Sequence, residues 1–170
     1  PSSYTVKVRA TDPGGLSAVS STTVNVTNVK PTVSASFGAS SVSCGANNAT
    51  LNVTFTDPGT ADTHTAVINW GDGNSQNVNP ATSPFSRSHT YAAAGAYTAT
   101  VTVTDDDGGA GTTTASVIVK FNTSGFLQPI NADGTSVFKY NSTIPIKISF
   151  TNCNGSIPNN LAPTIRLTMI

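Results

Sequence analysis

Acidic side chains are few in this chain, and most stand where a cation could be held. Asp57, Asp62, Asp72 and the run Asp105–Asp107 all fall at the ends of alternating apolar segments, and Asp12 repeats Asp105. Calcium takes about six to eight oxygen ligands from carboxylates, carbonyls and water. Loops gathered at a junction between modules could supply them, with Asp105, Asp106 and Asp107 as the expected participants. Aspartate next to Gly or Pro is also ordinary turn chemistry, so Asx-turns account for Asp12, Asp57 and Asp72 without a metal.

Bond-breaking chemistry finds less support. The two histidines are His64 and His89. There is no Gly-x-Ser-x-Gly elbow, no His-Glu-x-x-His and no phosphate loop. Asp57, Asp62 and His64 lie close in sequence, but zinc catalysis needs about three convergent ligands, which a short loop supplies poorly. The chain is therefore read as no enzyme. Cys44 and Cys153 are too few for a metal cluster or a disulfide scaffold. They could bridge two modules, pair outside the chain or stay free. Six Asn-x-Ser/Thr sequons, at Asn25, Asn48, Asn52, Asn122, Asn141 and Asn154, are glycosylation candidates in a secreted protein.

The elements that must carry these residues are strands. Asp, Glu, Lys and Arg make up only 9% of the chain, against about 25% in an average soluble domain. Thr, Ser and Asn fill the gap, favouring strands and turns over helix. Net charge is zero, so no basic face exists to capture a nucleic acid. No run approaches the ~18–20 apolar residues of a membrane span. The chain opens on Pro1 and carries no signal peptide, the pattern of a processed chain or a portion of one.

Residues 4–26 match residues 97–119 without a gap at an offset of 93: Tyr4 on Tyr97, Val8 on Val101, Asp12 on Asp105, Gly15 on Gly108, Val24 on Val117 and Val26 on Val119. A period of this size is one β-sandwich module rather than a solenoid unit. Within residues 31–120, period-two rows recur between turn signals: Thr32–Phe37; Leu51, Val53 and Phe55; Ala66, Ile68 and Trp70; Tyr97, Ala99, Val101 and Val103; Ala115, Val117 and Val119. Trp70 could stack on sugars if exposed, but its register with Ala66 and Ile68 predicts a core residue. Tyr97, just after Gly95, predicts a corner tyrosine whose hydroxyl bonds nearby backbone, and Tyr4 repeats it.

Phe55-Thr-Asp-Pro-Gly, Ile68-Asn-Trp-Gly-Asp-Gly73, His89-Thr-Tyr91 and the run Gly95–Asp105, in this order and spacing, resemble a polycystic kidney disease (PKD) domain. The resemblance implies an immunoglobulin-like sandwich of about seven strands, a type found in surface proteins and secreted hydrolases, with Trp70, Asp72, His89, Tyr91 and Tyr97 in structural roles. Some modules of this type bind calcium between strands and linker. The commonest pattern reads Trp-Asp-Phe-Gly-Asp-Gly, so Ile68, Asn69 and Trp70 depart from it, and an acidic contact at Asn69 is lost. Further on, Gly125-Phe-Leu-Gln-Pro-Ile, Val137-Phe-Lys-Tyr and Ile144–Phe150, with Pro145, Lys147 and Phe150 in place, resemble the start of a PxKF-type sandwich.

These readings predict an all-β chain of tandem immunoglobulin-like sandwich modules. Residues 1–30 are the last strands of one PKD-like module, 31–120 a complete one, and 121–170 the beginning of a PxKF-like one with a strand over 164–170. The expected function is a structural, spacer or adhesion module of an extracellular or cell-surface protein. Its partners are neighbouring modules and, in other readings, further copies of the chain or a surface polysaccharide. The alternatives are a filament subunit donating strands between chains and a substrate-binding accessory to a secreted hydrolase.

Overall fold

The computed structural model describes residues 2–44 and 49–159 and is all-β, with twelve strands and no helix among them. Asn48 and the strand expected over 164–170 lie outside the described residues.

Residues 32–120 form a two-sheet sandwich. One sheet holds β3 (Thr32–Phe37), β5 (Ala49–Thr56) and β8 (Phe85–His89) in the order β3-β5-β8. The other holds β4 (Ser41–Ser43), β6 (His64–Asn69), β7 (Ser75–Val78), β9 (Gly95–Asp105) and β10 (Ala110–Lys120) in the order β4-β10-β9-β6-β7. All pairings are antiparallel except β4 on β10, where Val42 lies beside Val119. The core is the meeting of the alternating rows: Leu51 and Val53 from one sheet, Ile68, Val101, Val103 and Val117 from the other, all with at most 1% of their surface exposed. Each such side chain contributes about 1.5–3 kcal/mol by leaving water. Thr50, Asn52, Thr54 and Thr98 take the solvent side, as period two requires.

Gly111 lets the sheets close. A Cβ there would overlap the carbonyl oxygen of Pro31, a buried residue at the entry to β3. Gly111→Ala is expected to lower stability by about 1–3 kcal/mol through forced backbone movement, read as a lower urea midpoint with an unchanged slope; an unshifted midpoint would refute the close approach.

Ahead of the sandwich, β1 (Ser2–Thr11) and β2 (Ser17–Val26) form a two-stranded hairpin. Its register reproduces that of β9 and β10: Tyr4 faces Val24 as Tyr97 faces Val117. Its turn is also the same. The Leu16 amide donates to Asp12 Oδ1 at 2.8 Å, as the Gly109 amide donates to Asp105 Oδ1 at 2.7 Å. Gly15 and Gly108 take φ of 85° and 88°, a region that favours glycine. What differs is cover. The row facing one side of the hairpin includes Tyr4, Val6, Val8, Val24 and Val26, and Tyr4 and Val8 are 57% and 67% exposed.

After the sandwich, β11 (Asn122–Leu127) and β12 (Lys147–Thr151) pair antiparallel with an irregularity between Thr123 and Phe126. Of the Ile144–Phe150 motif only the part from Lys147 is strand. Cys44, at the end of β4, is disulfide-bonded to Cys153, just beyond β12.

Candidate functional site

Strand direction sorts the polar residues to two poles. At the pole where the linker 27–31 enters, β5 and β9 end and β6 begins. Asp57 follows β5, Asp105 closes β9, and Asp62 lies in the loop that leads to His64. One carboxylate oxygen from each of Asp57, Asp62 and Asp105 lies within 4.8 Å of the others. Asp105 is 5% exposed. It accepts the Gly109 amide and, on both oxygens at 3.0 Å, the Asn28 side-chain amide. Asp57 accepts the Gly59 amide at 2.8 Å and pairs with His64 Nε2 at 3.0 Å; chiefly through the His64 bond, its carboxyl is held below the usual range. Asp62 is pushed the other way, first by burial and then by repulsion from Asp106, Asp57, Asp105 and Asp107. Converging carboxylates of which one resists ionisation suit a bound cation, since positive charge relieves that repulsion. The donors are all oxygens, the chemistry of calcium rather than zinc.

Of the three expected ligands, only Asp105 enters this cluster. Asp106 Oδ1 instead accepts the Thr63 amide at 3.0 Å, and Asp107 lines the adjoining cavity. All three still bear on Asp62 through their charge. Asp57 and Asp62 take the remaining places, while Asn28 donates its side-chain amide to Asp105. Alternating strand directions would have revealed Asp57, because the ends of β5 and β9 fall at one pole. The cavity beside the cluster has a volume of about 360 Å³, between Tyr4, Val26 and Thr27 of the hairpin base and Pro58, Asp62 and Asp107 of the sandwich.

The opposite pole is aromatic. Trp70 is 1% exposed, so it offers no platform for a sugar. His89 stacks on it at 4.8 Å, Tyr91 meets His89 edge-on at 4.7 Å, and Tyr97 stacks on Tyr91 at 4.0 Å. The Tyr91 hydroxyl donates to the Trp70 carbonyl, and that of Tyr97 to the Ala93 carbonyl, each at 3.0 Å. Burial, reinforced by the charge of Asp72, pushes Tyr91 up to about 12. Asp72 bonds His89 Nε2 at 2.7 Å and the Asn74 amide at 3.0 Å. Burial works against its ionisation, but the bonds from His89 and Asn74 together prevail and its carboxyl lies below the usual range. Asn69 Oδ1 accepts the Gly71 amide at 3.0 Å, so an acceptor remains where the commoner motif carries an acid. Gly71 has φ of 81°, and a Cβ there would stand 2.5 Å from the Thr98 carbonyl oxygen. Trp70, Asp72, His89, Tyr91 and Tyr97 thus stack on or bond one another and nearby backbone.

The sequons at Asn25, Asn52, Asn141 and Asn154 lie on exposed residues, and Asn122 is half-buried. Asn52 Oδ1 accepts the Ser86 hydroxyl and Asn154 Oδ1 accepts the Ser156 amide and hydroxyl.

A family model described as "PKD domain" matches residues 28–119, so the matched region includes the linker residue Asn28. Among solved structures, the PKD domain of an M14-like peptidase from Thermoplasmatales archaeon SCGC AB-540-F20 is 24% identical. It covers 53% of this chain and 90% of its own, with a TM-score of 0.42. Clostridium thermocellum CbhA fibronectin(III)-like modules are 23% identical, over 70% of this chain and 63% of that one, with a TM-score of 0.38. A search of curated proteins returned no match. The family match spans more than half of the residues, and the chain belongs to the PKD domain family.

Proposed function

We propose that the chain is a non-catalytic spacer of a tandem-module extracellular protein, with an acidic pole that binds calcium where one module meets the next. The supporting observation is the hairpin of β1 and β2. It repeats β9 and β10 in register and turn, yet its apolar row lacks the second sheet that covers theirs. A two-stranded hairpin is marginal alone in water, so this one is the closing pair of a preceding sandwich. Residues 121–170 begin a further module. The disulfide agrees with an oxidising compartment. No helix among the described residues is long and apolar enough to cross a membrane.

As a spacer, the module sets distance. Deleting residues 28–120 from the parent protein should shorten its largest dimension in small-angle scattering while leaving any activity elsewhere unchanged; loss of that activity would overturn the spacer reading. The exposed hairpin row also favours a second reading, in which one chain completes another's sandwich. Concentration-dependent oligomers in sedimentation would select it.

Asp57, Asp62 and Asp105 would hold the calcium ion, with Asn28 supplying a linker contact. The ion would supply fixed positive charge to their carboxylates and so clamp linker to loops. At calcium about a hundredfold above its dissociation constant, binding adds about 2.7 kcal/mol to stability. The melting midpoint should therefore rise in calcium, fall in chelator and stop responding in Asp105→Asn. An identical midpoint in calcium and chelator would end this assignment.

A further inference from the structure

We propose that the Cys44–Cys153 disulfide is a mechanical bypass: tension along the chain crosses the bond and leaves β5 to β12 unstretched. This follows from connectivity, so it stands whether or not the chain is a spacer.

The two half-cystines occupy different parts of the fold. Cys44 closes β4, is 3% exposed, and donates its amide to the Lys120 carbonyl at 3.0 Å. Cys153 follows β12 and packs against the same core, while its neighbour Asn152 accepts the Ala94 amide at 3.4 Å. The bond therefore ties an edge strand of the sandwich to the segment that leaves the third region. It spans a sequence separation of 109. Inside that loop lie β5 to β12; outside it lie the hairpin, the linker, β3, β4 and everything after Cys153.

Consider the chain held at its two ends. Tension enters the sandwich through residues 27–31 at the acidic pole. Without the bond it would leave through Lys120, at the opposite pole, after loading the parallel contact of β4 on β10 along its length. Once that contact sheared, every strand could be drawn out in turn. With the bond in place, tension runs through β3 and β4 to Cys44 and passes directly to Cys153. Only residues 32–43 of the sandwich can then be extended, to a contour of about 40 Å at about 3.3–3.6 Å per residue, part of which β3 and β4 already span as strands, so the release is shorter than that. The hidden loop would add about 360–390 Å at the same extension per residue. The third region gains most. Among the described residues no extensive contact joins β11 or β12 to the sandwich strands, and Leu127 and Phe126 are 40% and 48% exposed, so the bond is a main anchor of this region to a stable body.

Cys44 is buried while Cys153 is only partly so, and a reductant reaches the bond from the Cys153 side.

Single-molecule stretching of the full chain between terminal handles tests this. Under non-reducing conditions the sandwich should show the short release alone. With a phosphine present, which attacks one sulfur, displaces the other as a thiolate and is hydrolysed by water to the phosphine oxide and two thiols, a long release of about 360–390 Å should appear. The Cys44→Ala, Cys153→Ala double variant should show the long release without reductant. If that variant fails to fold, adding phosphine to the oxidised chain under load gives the same readout. A long release from the oxidised chain without reductant would overturn the bypass, as would equal extensions with and without it.

Discussion

Trp70→Ala is expected to remove about 3–5 kcal/mol of folding stability, the range for truncating a large buried aromatic, and so to unfold a large part of the population. Three losses coincide. The indole is part of the buried core, with 1% of its surface exposed. His89 loses the plane on which it stacks, and with it the constraint that aims Nε2 at Asp72. The carbonyl that receives the Tyr91 hydroxyl shifts as the chain relaxes toward the cavity. Trp70→Phe keeps a ring at the position and should cost distinctly less. Tyr91→Phe isolates the last component: it removes one donor from a buried carbonyl, at about 1–3 kcal/mol. Urea unfolding of the three variants checks the order. A Trp70→Ala midpoint indistinguishable from that of the parent would show that the aromatic pole is ornament to the core.

Breaking the Cys44–Cys153 bond should have an effect of similar size through the opposite state. The cross-link limits the unfolded chain, and in the chain-entropy account a loop of about 100 residues is worth about 4.7 kcal/mol. The separation here is 109 residues. Reduction, or replacement of both cysteines by alanine, should lower the melting midpoint by about 10–20 °C at about 2–4 °C per kcal/mol. Alanine is the better replacement because Cys44 is 3% exposed, and a serine hydroxyl there would need a partner. Equal midpoints for oxidised and reduced chains would show that the bond contributes nothing.

The aromatic pole was readable from the residues because its logic is local. Trp70 continues the row of Ala66 and Ile68, Gly71-Asp-Gly73 turns the chain, and His-x-Tyr and Gly-x-Tyr sit at strand boundaries. The acidic pole was readable only in part, because proximity there depends on which strand ends share a pole. Three strands went unseen for a related reason. β4, β7 and β8 are sheet edges; β7 buries only Val78, and β8 contributes a partly buried Phe85 beside Ser86, Arg87 and Ser88. One apolar residue cannot establish a period of two.

The sequence by itself determined the fold class, five strands of the sandwich, the 93-residue repeat and the family, since alternation, turn residues and motif order are properties of short stretches of chain. Only the tertiary structure decided which aspartates converge. It moved the candidate site from the run Asp105–Asp107 to Asp57, Asp62 and Asp105. It also joined Cys44 to Cys153 and left the first hairpin uncovered while burying its repeat. Each of these is a meeting between residues far apart in sequence, set by how sheets stack and where strands end, and no local pattern of side chains encodes it.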